Sequence, residues 1–155
     1  VRAKWKENDF RRGQQTPEDK QSAVDGVKVE YGVFQRAHKS GVNFLAGSDS
    51  GYINPYILHG YSLHDELERY VQNGMTPAEA LATATVNPSA YLGETKEAGR
   101  IAAGMRADIV VLDTNPLMDI KATRQIQAVI VNGKVYDRKD LDRLRTDLVT
   151  RAAQQ

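Results

Sequence analysis

The sequence predicts an α/β chain in two parts, and three observations carry that prediction. A helical apolar pattern at 16–40 passes through Gly41 into a short apolar run, Val42 to Ala46, which reads as a buried strand. Further helix patterns fill the chain as far as Leu92-Gly93. From Glu94 the apolar period changes from helical to alternating, and residues 94–136 read as a small all-β element. The apolar run at 42–46 ends in Gly47-Ser48-Asp49-Ser50-Gly51, which sets one carboxylate just past the C-terminal end of a strand. In α/β barrels that rim is where chemistry is placed.

Each element has a local reason. Residues 1–15 are polar and basic around Trp5 and Phe10 and read as an extended arm. Thr16-Pro17-Glu18-Asp19 is a helix start, with a hydroxyl N-cap, Pro at the first helical position and an acid at the third. Val24, Val27, Tyr31 and Phe34 then fall on one face, and Gly41 supplies the C-terminal stop. The stretch with Tyr52, Pro55, Tyr56 and His59 is long and aromatic for a connector and reads as a binding loop. Ser62 to Asp65 reads as a second cap, followed by the stripe Leu63, Leu67, Tyr70 and Val71. Thr76-Pro77-Ala78-Glu79 is the third helix start, with Ala78, Leu81 and Ala82 as its packing face. Asn87-Pro88 begins a short helix ending near Gly93. Gly99 and Gly104 read as turns around a short strand, and Ala107 to Leu112 as a strand. Ile126 to Val131, Asn132-Gly133, and Lys134 to Tyr136 read as a hairpin with a type I′ turn. Leu141, Leu144 and Leu148 mark a C-terminal helix with a fraying tail.

Composition excludes several classes of function. The 155 residues are enough for one domain with a core, and the net charge of +1 leaves no electrostatic footprint for nucleic acid or an anionic membrane. With no cysteine there is no disulfide and no thiolate metal site. No stretch approaches the ~18 apolar residues of a membrane span, so a soluble protein of unassigned compartment is expected. Val1 stands in the place of an initiator Met, as expected of an internal piece of a longer chain. One strand cannot make a parallel sheet, so the run at 42–46 needs partners from another chain or from a further segment. Self-association is the corresponding expectation.

The candidate chemistry is sparse. Asp49 has two readings: a turn or capping residue, or a metal ligand that also serves as general base. His59 and His64 are five apart, which is not the spacing that puts two imidazoles on one helix face. They read as packing or surface residues, or as members of the loop's binding surface. His38 sits late in a charged helix and reads as solvent-facing. The acids Asp65, Glu66 and Glu68 complement a helix dipole, and Asp108 reads as a turn residue.

The ordered set of motifs resembles a known family. Gly47-Ser48-Asp49-Ser50-Gly51, His59-Gly60, Leu63-His64-Asp65-Glu66-Leu67, Gly74-Met75-Thr76-Pro77-Ala78-Glu79-Ala80-Leu81, Ala84-Thr85-Val86-Asn87-Pro88-Ser89-Ala90, the run from Gly99 to Leu112, and Val131-Asn132-Gly133-Lys134-Val135-Tyr136 occur in that order. Together, over roughly residues 25 to 137, they resemble the C-terminal part of the metal-dependent amidohydrolase superfamily. The branch is that of the imidazolonepropionase-like and Xaa-Pro dipeptidase (prolidase)-like enzymes.

The resemblance implies a division of the chain. Residues 1–15 would be an arm and 16–95 the end of a (β/α)8, TIM-type barrel. Residues 96–136 would be the C-terminal share of an adjoining β-sandwich, and 137–155 a helix and tail. It implies hydrolysis of C–N bonds (amide, cyclic amide or dipeptide) by a metal-activated water, with Asp49 as metal ligand and proton shuttle. His59, His64 and Tyr52 would lie on the substrate side. Zinc or another divalent metal would belong to the complete enzyme and not to this chain alone, because the family's histidine pair, its bridging residue and its two later histidines are not in the sequence. The partners implied are the remainder of the barrel, a small-molecule or dipeptide substrate, and a second copy of the chain. The alternative is a non-catalytic module that keeps the family's C-terminal scaffold.

Overall fold

The structure is a computed structural model that describes residues 16–50 and 57–153. The expected arm at 1–15, Tyr52 and the last two residues of the tail lie outside the described residues. The chain forms two compact units, Val1–Met75 and Thr76–Gln155.

The first unit contains α1 (Pro17–Lys39) and α2 (Ser62–Gln72). The start of α1 is the expected capping box. Thr16 Oγ1 accepts from the Asp19 N–H at 3.1 Å, and Asp19 Oδ2 accepts from the Thr16 N–H at 2.8 Å. That backbone donor holds the Asp19 carboxyl below its ordinary pKa. The helix ends in a Schellman motif: the Val42 N–H reaches the Ala37 carbonyl, the Gly41 N–H reaches His38, and Gly41 has φ +76°. Val24 and Val27 of the expected apolar stripe are exposed at 52% and 43%, and no residue of α1 is buried.

Two expectations are corrected in this unit. Ser62 is not an N-cap. Tyr61 holds that place without a side-chain bond, and the Ser62 hydroxyl instead accepts from the Leu58 N–H at 2.8 Å. The run Val42 to Ala46 is not a buried strand. It has no ladder partner among the described residues, and Val42 and Leu45 are 52% and 39% exposed. The physical reason is that a parallel strand borrows its neighbours from distant sequence, whereas all the described strands lie at 109–136.

The second unit holds α3 (Pro77–Thr83), α4 (Val86–Leu92), β1 (Ile109–Leu112), β2 (Ile126–Val131), β3 (Lys134–Tyr136) and α5 (Arg138–Ala153). Thr76 and Glu79 repeat the capping box, with bonds of 3.2 and 2.7 Å. The buried side of α3 is Ala80 and Thr83, while Ala78 is exposed and Leu81 and Ala82 are half-buried. The three strands form an antiparallel sheet in the order β1-β2-β3, with Val110 opposite Val129 and Ile130 opposite Val135. Asn132 and Gly133 join β2 to β3 with φ +48° and +80°, as a type I′ turn requires.

The short strand expected between Gly99 and Gly104 does not form, and Ile101 there is 80% exposed. A 3-10 turn at Ile120–Arg124, absent from the sequence reading, supplies Ile120, Ala122 and Thr123 to the core. Its signal is Asp119, whose Oδ1 accepts from the Lys121 N–H at 3.0 Å.

Candidate active-site segment

The segment around Asp49 is built against the two described helices of the first unit. Phe44 lies 4.8 Å from Phe34 of α1 and 6.3 Å from Tyr70 of α2, ring centre to ring centre. Phe34 and Tyr70 stack on each other at 5.1 Å. Such offset and tilted pairs contribute about 0.5–1.5 kcal/mol each beyond their buried area. Burial, then the charge of Glu66 and its hydrogen bond, push the Tyr70 phenol well above its usual pKa. Phe34 and Tyr70 therefore clamp one side of the segment through Phe44.

Exposure along the segment alternates. Phe44, Ala46, Ser48 and Ser50 are half-buried, while Asn43, Leu45, Gly47 and Asp49 are exposed. A period of two is the signature of extended backbone with one covered face. Asp49 belongs to the uncovered face. Its φ of +46° is in the left-handed region, where aspartate is one of the few residues tolerated. Beside it the Ser48 hydroxyl bonds the Ser50 hydroxyl at 3.1 Å. The Asp49 carboxylate makes no hydrogen bond or ion pair with another described residue.

The histidines are placed differently. His59 is exposed in the turn before α2, and His64 is half-buried in the first turn of α2. His38 is half-buried near the end of α1, where Phe34 stacks on it at 6.4 Å, so it is not the solvent-facing residue expected. Among the described residues, no three His, Cys, Asp or Glu side chains are gathered to hold a metal ion, so Asp49, His59 and His64 do not form such a group. Asp49 suits a divalent cation in kind, as an exposed hard oxygen donor. It does not suit one in number, since zinc takes about four donors.

Asp108, read from the sequence as a turn or capping residue at a strand start, serves a turn distant in sequence. Asp108 Oδ1 accepts from the Asn132 N–H at 2.7 Å, and Oδ2 accepts from Arg106 Nε at 2.6 Å. Together with the bond from the Gly133 N–H to the Ala107 carbonyl at 3.0 Å, this ties the hairpin turn to the entry of β1.

The described chain thus runs from a helix through a segment with an exposed carboxylate at its end to a second helix in the first unit, and through two short helices to a small antiparallel sheet in the second. The family model described as "Amidohydrolase family" matches residues 19–136, about three quarters of the chain. The chain belongs to the amidohydrolase family. It is 36% identical over 97 residues to an ochratoxinase of Aspergillus niger, a match covering 62% of this chain and 19% of that protein. It is 35% identical over 74 residues to an imidazolonepropionase of Symbiobacterium thermophilum, covering 48% of this chain and 16% of that one. The crystal structure of a Xaa-Pro dipeptidase with bound methionine in the active site superposes with a TM-score of 0.63 at 29% identity, over 69% of this chain and 25% of that one. The matches thus span at most about a quarter of these relatives. Such neighbours imply a TIM-barrel-type fold for the family. No helix among the described residues is long and apolar enough to cross a membrane.

Proposed function

We propose that this chain acts as the C-terminal part of a metal-dependent hydrolase of C–N bonds, in which residues 16–95 complete a (β/α)8 barrel and 96–136 contribute to a β-sandwich. The observation that carries the proposal is the alternation at 43–50. The segment has one face clamped by two helices and one face uncovered, which is how a barrel strand is dressed, and Asp49 stands on the uncovered face. In the complete barrel the uncovered face looks into the barrel interior while the segment's edges pair with the neighbouring strands, and Asp49 supplies one ligand of a set completed by residues outside this chain.

A bound divalent metal, zinc among them, supplies a water acidified toward a pKa of about 7. Asp49 takes a proton at one carboxylate oxygen and delivers it to the departing nitrogen. His59 and His64, with Tyr52, serve the substrate side of the rim.

The test is Asp49→Asn in the complete enzyme, assayed on Xaa-Pro dipeptides, N-acyl amino acids and cyclic amides. A loss of about 100- to 10,000-fold in kcat is expected for removal of a proton-transfer group. Undiminished hydrolysis by that variant overturns the assignment.

A further inference from the structure

The covered face of residues 43–50 carries one large apolar side chain, Phe44, followed by Ala46, Ser48 and Ser50. The uncovered face carries a competitor, Leu45, directly beside it. Slipping the phase of an extended segment by one residue moves every side chain to the other face. Leu45 seated between the helices would therefore turn Asp49 toward them and away from the open side. What opposes that slip is the fit of the Phe44 ring against Phe34 and Tyr70, at 4.8 and 6.3 Å. Tyr70 is itself held by its stack on Phe34 at 5.1 Å and by Glu66. We propose that Phe44 is a positioning residue that sets the phase of the segment and thereby the face on which Asp49 stands, with Tyr70 as its backstop. This inference rests on the reading of Asp49 as a proton-transfer group only where its consequence for catalysis is concerned.

The discriminating variant keeps composition and exchanges the anchor, Phe44→Leu together with Leu45→Phe. In the complete enzyme it lowers kcat by about 10- to 100-fold, the scale on which ~1 Å of misplacement acts, and leaves KM within about threefold. Phe44→Leu alone removes the ring's advantage over Leu45 and lowers kcat by a smaller factor, about 3- to 10-fold. A merely structural Phe44 predicts a lower melting temperature with unchanged kcat per folded molecule in both variants, and that result overturns the proposal.

The phase is also read without activity. The chain has no cysteine, so Asp49→Cys introduces one thiol whose reaction with a soluble disulfide reagent reports its exposure. In the 155-residue chain the exchanged pair slows that reaction by about tenfold relative to Asp49→Cys alone. Equal rates overturn the phase argument. Slowed labelling alongside an active Asp49→Asn enzyme instead leaves the phase standing and overturns the catalytic reading.

Discussion

The run at 42–46 and the strand β2 at Ile126–Val131 are both largely apolar, yet only β2 is a strand. β2 has β1 on one side and β3 on the other, the latter only the two-residue turn Asn132-Gly133 away. The segment at 42–50 has helices on one face and no described ladder partner. An antiparallel strand can be completed by a hairpin, while a parallel strand needs crossovers of about a dozen residues or more on each side. Among the described residues, the second unit is therefore self-sufficient in strand pairing, whereas the segment at 42–50 finds no ladder partner.

The comparison is broken most severely by damaging the self-sufficient unit. A Cβ at Gly99 would lie 2.7 Å from Ser89 Cβ and 3.1 Å from the Thr85 carbonyl oxygen, at a φ of +91°. Ser89 is buried, and its Cβ is fixed by the backbone of α4 and cannot rotate away, while its hydroxyl donates to the Ala98 carbonyl at 2.9 Å. Gly99→Ala is expected to cost about 2–4 kcal/mol, from left-handed strain and overpacking together. Urea unfolding of the second unit measures it, and a loss under about 0.5 kcal/mol, the range of ordinary surface changes, would show that the close approach is relieved elsewhere.

A smaller effect distinguishes the two capping boxes. Thr76→Ala and Thr16→Ala each remove the same bonds, and each is expected to cost about 1 kcal/mol where the helix end is coupled to a core. α3 has Ala80 and Thr83 buried, whereas α1 has no buried residue. Thr76→Ala should therefore shift global unfolding, and Thr16→Ala should only fray α1. Hydrogen exchange separates these outcomes. Global destabilisation by Thr16→Ala would mean that α1 is more firmly docked than its exposure suggests.

Exposed apolar side chains of the first unit also predict assembly. Val42 and Leu45, with Val24 and Val27 on α1, leave apolar surface open in the isolated chain. Light scattering should find it dimeric or larger at high concentration. A well-behaved monomer would break the inference that the segment seeks partners.

What was legible in the sequence was local. Both capping boxes, the Asn132-Gly133 turn and the stop at Gly41 are decided within about six residues, and each forms as expected. Ser62 was misread because a hydroxyl next to a helix start can serve either the helix or the loop behind it, and here it serves Leu58. Ile120, Ala122 and Thr123 were missed as core because a five-residue 3-10 turn is too short to establish a period. At the candidate site, sequence order marked Asp49, but the partner rings came from positions 10 before and 26 after Phe44, beyond any local pattern. The alternating exposure of 43–46 accords with an extended run. Its pairing was not legible, because pairing is a property of neighbours.

The smallest effect concerns the clasp at Asp108, and it sharpens the comparison through pH. The Asn132 N–H, then Arg106, hold the Asp108 carboxyl below its ordinary value of 3.8. A carboxyl depressed in the folded state contributes stability that is fully present above its unfolded pKa and is lost as pH falls through the folded one. The second unit should therefore lose the contribution of this clasp only below about pH 4, the unfolded carboxylate range. Asp108→Asn should remove that part of the acid dependence while leaving the Asn132 N–H an amide oxygen to bond. The group is exposed, so the change is small and screened by salt. The comparison carries a control, since the Asp19 carboxyl is depressed by the capping box of α1 in the same direction. Asp19→Asn should alter acid fraying of that helix and leave the acid limb of the hairpin untouched, as read by resolved amide signals of Asn132 and Thr16. If Asp108→Asn leaves the Asn132 signal's acid titration unchanged, the carboxylate is not what fastens the turn to β1.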